Sequence, residues 1–191
     1  AQRLSYVGEL GYELYVDLKD AKKIYELLIE KGKDFNLSNC GMHAMDIMRM
    51  ESGFLHWGHD ISPEENQYQA GLAFTISNKK DVDFIGKQAL EKIKQDKVKT
   101  RFSMFTLKES EPGKPLLLHD EPIYDGEKII GRSTSGNYSF NFKKNLVFGY
   151  INNDFSNEEL QNKNLFIEVE KKKYPIEIIN KPLKQTNFKN N

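Results

Sequence analysis

The sequence has 191 residues, enough for one large domain or two small ones. Its 28 Lys and Arg side chains balance 28 Asp and Glu, so we expect neither nucleic acid nor a membrane as partner. The single cysteine, Cys40, excludes an internal disulfide and favours a reducing, cytoplasmic location. No apolar run approaches the length of a membrane span. The chain opens on Ala-Gln-Arg without Met, so we expect it to be part of a longer polypeptide.

The first predicted element is a β-hairpin. Two β-rich runs, residues 4–7 and 12–16, flank the glycine-bearing loop 8–11. With a four-residue loop, Tyr6 lies directly opposite Glu13 on one face of the hairpin. An ionised Glu only accepts hydrogen bonds, so Glu13 suits a flat ring with adjacent N–H donors, such as an aminopyrimidine edge. A solvated Tyr–Glu cross-strand pair is the simpler alternative.

Helices dominate the next part of the predicted fold. Asp20 starts an amphipathic helix that ends near Gly32, and residues 42–51 form a second helix. Ser62, followed by Pro and by Glu three residues on, predicts a further helix that ends at Gly71. We expect a buried strand at residues 72–76 and a cationic helix at residues 84–94.

The pattern changes at the polar joint 94–99, after which short β-rich runs are separated by glycine-containing turns. This spacing is typical of a small antiparallel barrel or sandwich. The predicted fold class is therefore α+β, with a partial α/β domain over residues 1–96, a β-barrel domain over 97–183 and a tail at 184–191. The predicted strands are 101–107, 127–133, 146–151, 164–169 and 173–179.

Residues 56–60 contain the most polar candidate cluster. His56, His59 and Asp60 are metal-ligand types, but no second cluster completes a site, so we predict no metal. Trp57, the only tryptophan, is either an aromatic wall of a cleft or a packing residue. The sequence has no nucleophile elbow, P-loop or dinucleotide fingerprint. We interpret residues 134–136 as a turn in which the hydroxyl groups form hydrogen bonds with the local backbone.

Seven blocks in order resemble the aminomethyltransferase family, which includes the T-protein of the glycine cleavage system. The first is Tyr-x-Gly-Glu-x-Gly-x-Glu, and the second ends in Arg-x-Glu-x-Gly. Residues 54–61 resemble most the version at the C-terminal end of flavin-dependent dimethylglycine and sarcosine dehydrogenases. The resemblance spans roughly residues 3–183. The blocks are residues 6–13, 41–53, 57–61, 69–72, 83–86, 133–139 and 148–151.

The resemblance implies tetrahydrofolate as cofactor and transfer of a one-carbon unit onto it. Glu13 then accepts the pteridine N–H groups and Tyr6 lines the same pocket, with Trp57, Met45 and Phe188 as further wall residues. Met45 replaces a family arginine that contacts folate, and Phe188 replaces a tyrosine. Both departures argue against a glycine-cleavage T-protein proper, and Met45 suits the dehydrogenase-associated branch better.

The family's catalytic aspartate aligns outside this chain, so the resemblance implies no catalytic residue here. We expect a folate-dependent enzyme with a small amine or aminomethyl donor, and with an FAD module upstream in one arrangement. We expect the isolated chain to be inactive. Its incomplete α/β part should form dimers or be disordered, since it lacks the N-terminal region of the polypeptide. The alternatives are a non-catalytic folate-binding or structural module, or a folate-dependent demethylase of the same fold.

Overall fold

The computed structural model describes residues 1–77 and 83–184, and the chain divides into two compact units. The first unit contains Ala1–Phe54 together with Lys184, and the second is Leu55–Leu183. The predicted domain boundary at residue 96 stays a prediction. The predicted wall residue Phe188 lies outside the described residues.

Two helices form most of the first unit. Helix α1 spans Leu18–Gly32 and is followed by a 3-10 turn at Lys33–Phe35, while helix α2 spans Met42–Glu51. Helix α1 buries none of its residues. Helix α2 buries Ile47, Arg49, Met50 and Glu51 near its C-terminal end, whereas its first turn is exposed.

The N-terminal segment differs from the predicted hairpin. Gln2 and Glu13 form an isolated antiparallel bridge, with both backbone N–H···O distances at 2.9 Å. The predicted pairing of Tyr6 with Glu13 is therefore wrong. A Cβ on Gly11 would lie 2.7 Å from the Leu4 carbonyl oxygen, so the chain folds closely on itself here and the loop extends over residues 3–12.

The second unit contains a closed barrel of six antiparallel strands, which confirms the predicted fold class. Around the barrel the order is β1-β4-β3-β2-β5-β6. The interior holds aromatic and β-branched side chains such as Phe105, Ile123, Val147 and Ile167, each with none of its surface exposed. The strands are β1 Thr100–Leu107, β2 Pro122–Asp125, β3 Lys128–Ser139, β4 Lys144–Asn152, β5 Leu165–Val169 and β6 Lys172–Ile179.

Two short helices accompany the barrel. Helix α3 spans Lys87–Asp96, slightly later than predicted, and helix α4 spans Asn157–Gln161. Helix α4 begins with a capping box in which Ser156 and Glu159 bond each other's backbone amides. In the described chain after Thr100, this five-residue helix is the only α-helix, as the predicted β-domain requires.

Residues 62–71 form turns, so the helix predicted there is wrong. The Ser62 amide and hydroxyl donate to the Glu65 carboxylate at 2.8 and 2.7 Å, as in a helix start. The Asn66 side chain then accepts from the amides of Tyr68 and Gln69 at 3.0 and 3.1 Å. Such local side-chain bonds compete with the helical backbone ladder.

The strand predicted at residues 72–76 is also wrong. The structure has a 3-10 turn at Ala73–Thr75, and Phe74 is 82% exposed. The Thr75 hydroxyl donates to the Leu72 carbonyl at 2.7 Å, which closes the turn locally. An apolar run therefore does not form a buried strand here, because no neighbouring strand covers it in the described structure.

Candidate functional site

Glu13 lies on an extended segment held by its two backbone bonds to Gln2. Its side chain is exposed, and Oε2 accepts a hydrogen bond from the Tyr15 hydroxyl at 2.5 Å. The hydrogen bond to the Glu13 carboxylate, followed by its negative charge, raises the pKa of Tyr15. The Tyr15 phenol therefore lies beside the Glu13 carboxylate. In an extended chain, side chains two residues apart lie on the same side, so the sequence spacing could have predicted that Tyr15 lies beside Glu13.

Tyr6 lies in the loop 3–12 and is partly buried. The same loop encloses a cavity of about 370 Å³. Within the described chain, the Ser5 hydroxyl oxygen is buried and has no hydrogen-bond partner. The Glu9 carboxylate on the cavity wall pairs with the Lys184 ammonium. The cavity therefore combines charged and apolar groups, and its lining residues are Arg3, Leu4, Ser5, Glu9, Leu10 and Gly11.

Met45 and Arg49, both on helix α2, differ in how deeply they are buried. Met45 is partly buried, whereas the Arg49 side chain is only 1% exposed. Arg49 donates from Nε and Nη2 to Asp46 Oδ1 at 2.9 and 2.8 Å, and from Nη1 to the Phe54 carbonyl at 3.1 Å. Arg49 thus fixes the chain that leaves the helix, as a structural brace.

In the second unit, Asp60 is a fully buried carboxylate that connects a loop to the barrel. Its Oδ1 accepts from the hydroxyls of Thr134 at 2.5 Å and Ser135 at 2.8 Å, both on β3. Its Oδ2 accepts from the His56 amide at 2.9 Å, and its carbonyl accepts from the Tyr150 hydroxyl at 2.8 Å. The interpretation of Thr134 and Ser135 as local turn chemistry is therefore wrong. Sequence spacing offers no signal for this contact, because 74 residues separate Asp60 from Thr134.

Ser133 and Ser139, on the same strand, also form structural hydrogen bonds. Ser133 accepts from the Glu121 amide at 3.0 Å and donates to the Glu121 carboxylate. Ser139 accepts from the Phe142 amide at 3.0 Å. These bonds hold the barrel strand to its adjoining loops, so they account for the buried hydroxyls without a catalytic role.

Trp57 lies at the exposed tip of residues 55–61 and is 66% exposed. It forms an isolated bridge with Ile61, and Gly58 adopts a φ of +90°, which favours glycine. The rings of His56 and His59 lie 4.7 Å apart between centroids. Among residues 1–77 and 83–184, no group of three His, Cys, Asp or Glu is arranged to hold a metal ion.

Two family models match the chain. The GCVT N-terminal domain matches residues 1–80, and the glycine cleavage T-protein C-terminal barrel domain matches residues 101–184. Together they cover both units and agree with the barrel described above. In the described residues, no helix is long and apolar enough to cross a membrane.

The chain is similar to longer curated enzymes. Human mitochondrial dimethylglycine dehydrogenase is 36% identical over 183 residues, which are 96% of this chain and 20% of that protein. The 4-methylaminobutanoate oxidase (formaldehyde-forming) of Paenarthrobacter nicotinovorans is 43% identical over 136 residues, 71% of this chain and 16% of that protein. An aminomethyltransferase of Halothermothrix orenii is 36% identical over 152 residues, 80% of this chain and 41% of that protein. The chain thus spans about a fifth of the dimethylglycine dehydrogenase.

A solved structure shares the fold. Aminomethyltransferase T of the glycine cleavage system from Bartonella henselae superposes with a TM-score of 0.81 at 22% identity. The match covers 96% of this chain and 49% of that one. The similarity in structure therefore extends over nearly the whole chain.

Proposed function

The chain belongs to the glycine cleavage T-protein family, and we propose that it forms part of an enzyme that transfers a one-carbon unit to tetrahydrofolate. The observation that carries the proposal is the Glu13 carboxylate. It is exposed, it lies on a segment fixed by two backbone hydrogen bonds, and the Tyr15 phenol lies beside it. A fixed carboxylate without donors is complementary to the amino and ring N–H groups of a pteridine.

Tyr6 and Met45 belong to the same proposed folate site, and Trp57 stays a predicted wall residue. We assign no catalytic residue to this chain, because the resemblance implies that the family's catalytic aspartate lies outside it. The names of the relatives, dimethylglycine dehydrogenase and 4-methylaminobutanoate oxidase among them, support a small amine as donor. FAD in an N-terminal module of the parent enzyme stays a prediction. The single cysteine supports a reducing location such as the cytoplasm, although several relatives are mitochondrial enzymes.

The test is calorimetric titration of tetrahydrofolate into the parent enzyme and its variants. Glu13→Ala removes two charge-assisted hydrogen bonds, and we expect a net loss of about 2–4 kcal/mol, or roughly 30- to 1000-fold in affinity. Glu13→Gln should be intermediate, because it keeps one acceptor but directs a donor at a donor. Tyr15→Phe should weaken binding less, since the carboxylate itself remains.

Glu26→Ala is the matched control, because Glu26 is an exposed carboxylate of the same unit on helix α1. Its affinity for folate should equal that of the unmodified protein. If Glu13→Ala also binds folate with unchanged affinity, Glu13 is not part of the site and the proposal fails. Folate binding without turnover in the intact parent would instead support the alternative of a non-catalytic binding module.

A further inference from the structure

Beyond the barrel, the chain returns to the first unit at Lys184. The Lys184 backbone amide donates to the carbonyl of Glu51, the last residue of helix α2, at 2.8 Å. The Lys184 ammonium pairs with the Glu9 carboxylate on the loop 3–12. Lys184 therefore connects the end of helix α2 to this loop, with its backbone bonded to the helix and its side chain bonded to the loop.

The loop 3–12 also contacts the residue that follows helix α2. The Ser52 hydroxyl donates to the Val7 carbonyl at 3.4 Å, which is longer than a typical hydrogen bond. Of these two contacts between the loop and the end of the helix, the ion pair of Lys184 is the closer one. The ion pair is therefore the stronger candidate for fixing the loop.

The base of the loop 3–12 holds Glu13. The backbone amides of Gln2 and Glu13 each donate to the carbonyl of the other residue at 2.9 Å, which joins the two ends of the loop. Just inside this bridge, a Cβ on Gly11 would lie 2.7 Å from the Leu4 carbonyl oxygen, so the two arms of the loop touch each other. A displacement of the loop is therefore transmitted to the backbone that holds the Glu13 carboxylate.

The exposure of the ion pair decides what its loss would do. The side chains of Lys184 and Glu9 are 22% and 58% exposed. Ion pairs with this much contact with water contribute little to the free energy of folding. Without the ammonium, the Glu9 carboxylate stays hydrated, so no unpaired buried charge results. Removal of the Lys184 charge should therefore release the loop 3–12 without unfolding the unit.

We propose that Lys184 is a positioning residue, which holds the loop 3–12 against the end of helix α2 and thereby sets the position of the Glu13 carboxylate. Its effect on folate rests on the proposed function, in which Glu13 accepts hydrogen bonds from the pteridine. Its effect on the loop does not rest on that function. Lys184 acts through Glu9 and the loop, and this role requires no contact between Lys184 and folate.

Hydrogen exchange in the parent enzyme, measured by mass spectrometry on peptides from residues 3–16, tests the effect on the loop without folate. Lys184→Met removes the charge of the side chain, and these peptides should exchange about two- to fivefold faster, as expected for the loss of an exposed ion pair. Lys184→Arg should exchange like the unmodified protein, because a guanidinium also pairs with a carboxylate. The charge-swapped variant Glu9→Lys/Lys184→Glu should restore the slow exchange that each single substitution loses.

Calorimetric titration of tetrahydrofolate into the same variants tests the effect on the ligand. Lys184→Met should raise Kd about two- to fivefold, and Lys184→Arg should keep the affinity of the unmodified protein. Lys31→Met is the matched control, because Lys31 forms an exposed ion pair with Glu30 on helix α1 at 3.1 Å. It should change neither the exchange of the loop nor the affinity for folate.

The two measurements separate this inference from the proposed function. Unchanged exchange of the loop in Lys184→Met, or fast exchange in the charge-swapped variant, overturns the positioning role. If Glu13→Ala weakens folate binding and Lys184→Met does not, the position of the loop does not control the site and the inference fails. If Lys184→Met accelerates exchange but Glu13→Ala leaves the affinity unchanged, the proposed function fails, and the effect of Lys184 on the loop is supported.

Discussion

The buried carboxylate of Asp60 connects a loop of the second unit to the barrel. Transfer of an ionised carboxylate out of water is costly unless hydrogen bonds replace its hydration. The Asp60 carboxylate accepts such bonds from the hydroxyls of Thr134 and Ser135 and from the His56 amide. These donors come from β3 and from the loop of residues 55–61, so one side chain fixes that loop to the barrel.

We predict that Asp60→Ala lowers the free energy of unfolding by about 2–5 kcal/mol, because it leaves buried donors without their acceptor. Asp60→Asn should cost less, since its amide oxygen can still accept. Urea denaturation followed by circular dichroism measures both values. Asp154→Ala, at an exposed carboxylate of the same unit, is the control and should change stability little. Equal stability of Asp60→Ala and the control would contradict a structural role for Asp60.

Because of Tyr150, we predict that the free energy of unfolding depends on pH in the alkaline range. Burial, followed by the nearby charges of Glu65 and Asp60, raises the pKa of its phenol. The contribution of Tyr150 to stability is therefore complete below the unfolded-state pKa of about 10 and is lost as the pH rises above it. At pH 8, Tyr150→Phe should cost about 1 kcal/mol for the hydrogen bond to Asp60.

The free energy of unfolding of the unmodified protein should fall towards that of Tyr150→Phe as the pH rises from about 10 to 12, because only the unmodified protein loses this contribution. Urea denaturation at a series of pH values measures the difference. Tyr138→Phe, on β3, serves as the control. If the free energies of unfolding of Tyr150→Phe and of the unmodified protein differ by a constant amount at every pH, ionisation of Tyr150 is not linked to folding.

At the scale of elements, the pairing of β3 with β4 depends on two glycines at a close approach. A Cβ on Gly131 would lie 2.1 Å from the Tyr150 carbonyl oxygen, and one on Gly149 would lie 2.3 Å from the Arg132 carbonyl oxygen. The register of the pair shifts between Ser133 and Ser135, which marks a β-bulge. A bulge bends and twists its strand. The glycines therefore permit a backbone contact that the curvature of the closed barrel requires.

Gly131→Ala should lower the free energy of unfolding of the barrel by about 1–3 kcal/mol, because the added methyl group meets backbone atoms that cannot rotate away. Thermal unfolding followed at a β-sheet wavelength measures the effect. Gly41→Ala is the matched control, since nothing lies within 4 Å of the position that its methyl group would take and its φ is −81°. If Gly131→Ala unfolds at the same temperature as Gly41→Ala, the close approach does not limit this strand pair.

At the scale of the whole molecule, the apolar side chains of the first unit are incompletely covered. Helix α1 buries no residue, and Leu18, Tyr25, Leu27 and Leu28 are among its exposed side chains. Exposed apolar surface promotes association. The proposed parent enzyme would supply the covering surface, and the dimer expected from the sequence stays a prediction.

We predict that the 191-residue chain associates as its concentration increases, and that Leu27→Glu weakens this association by placing a charge on the apolar face. Sedimentation velocity over a hundredfold range of concentration provides the measurement. Lys23→Glu is the control, because it changes charge on the same helix without altering an apolar position. A sedimentation coefficient independent of concentration in the unmodified chain would show that the exposed face does not cause self-association.

Local patterns were sufficient to predict several elements. Residues 42–51 form a helix with the predicted bounds, because their apolar side chains recur at an uninterrupted helical spacing. The strands near residues 101, 146 and 173 begin within two residues of their predicted starts. The short strand Pro122–Asp125 was missed, since four residues carry little periodic signal and pairing with β3 and β5 stabilises it.

The sequence by itself determined the family and the α+β class. These properties follow from ordered motifs and from the periodicity of apolar residues, which are local features of the chain. The tertiary structure alone decided that Glu13 pairs with Gln2 and Tyr15, and that Asp60 binds Thr134 and Ser135. The physical reason is that a hydrogen bond depends on distance and angle in space, which spacing along the chain does not specify.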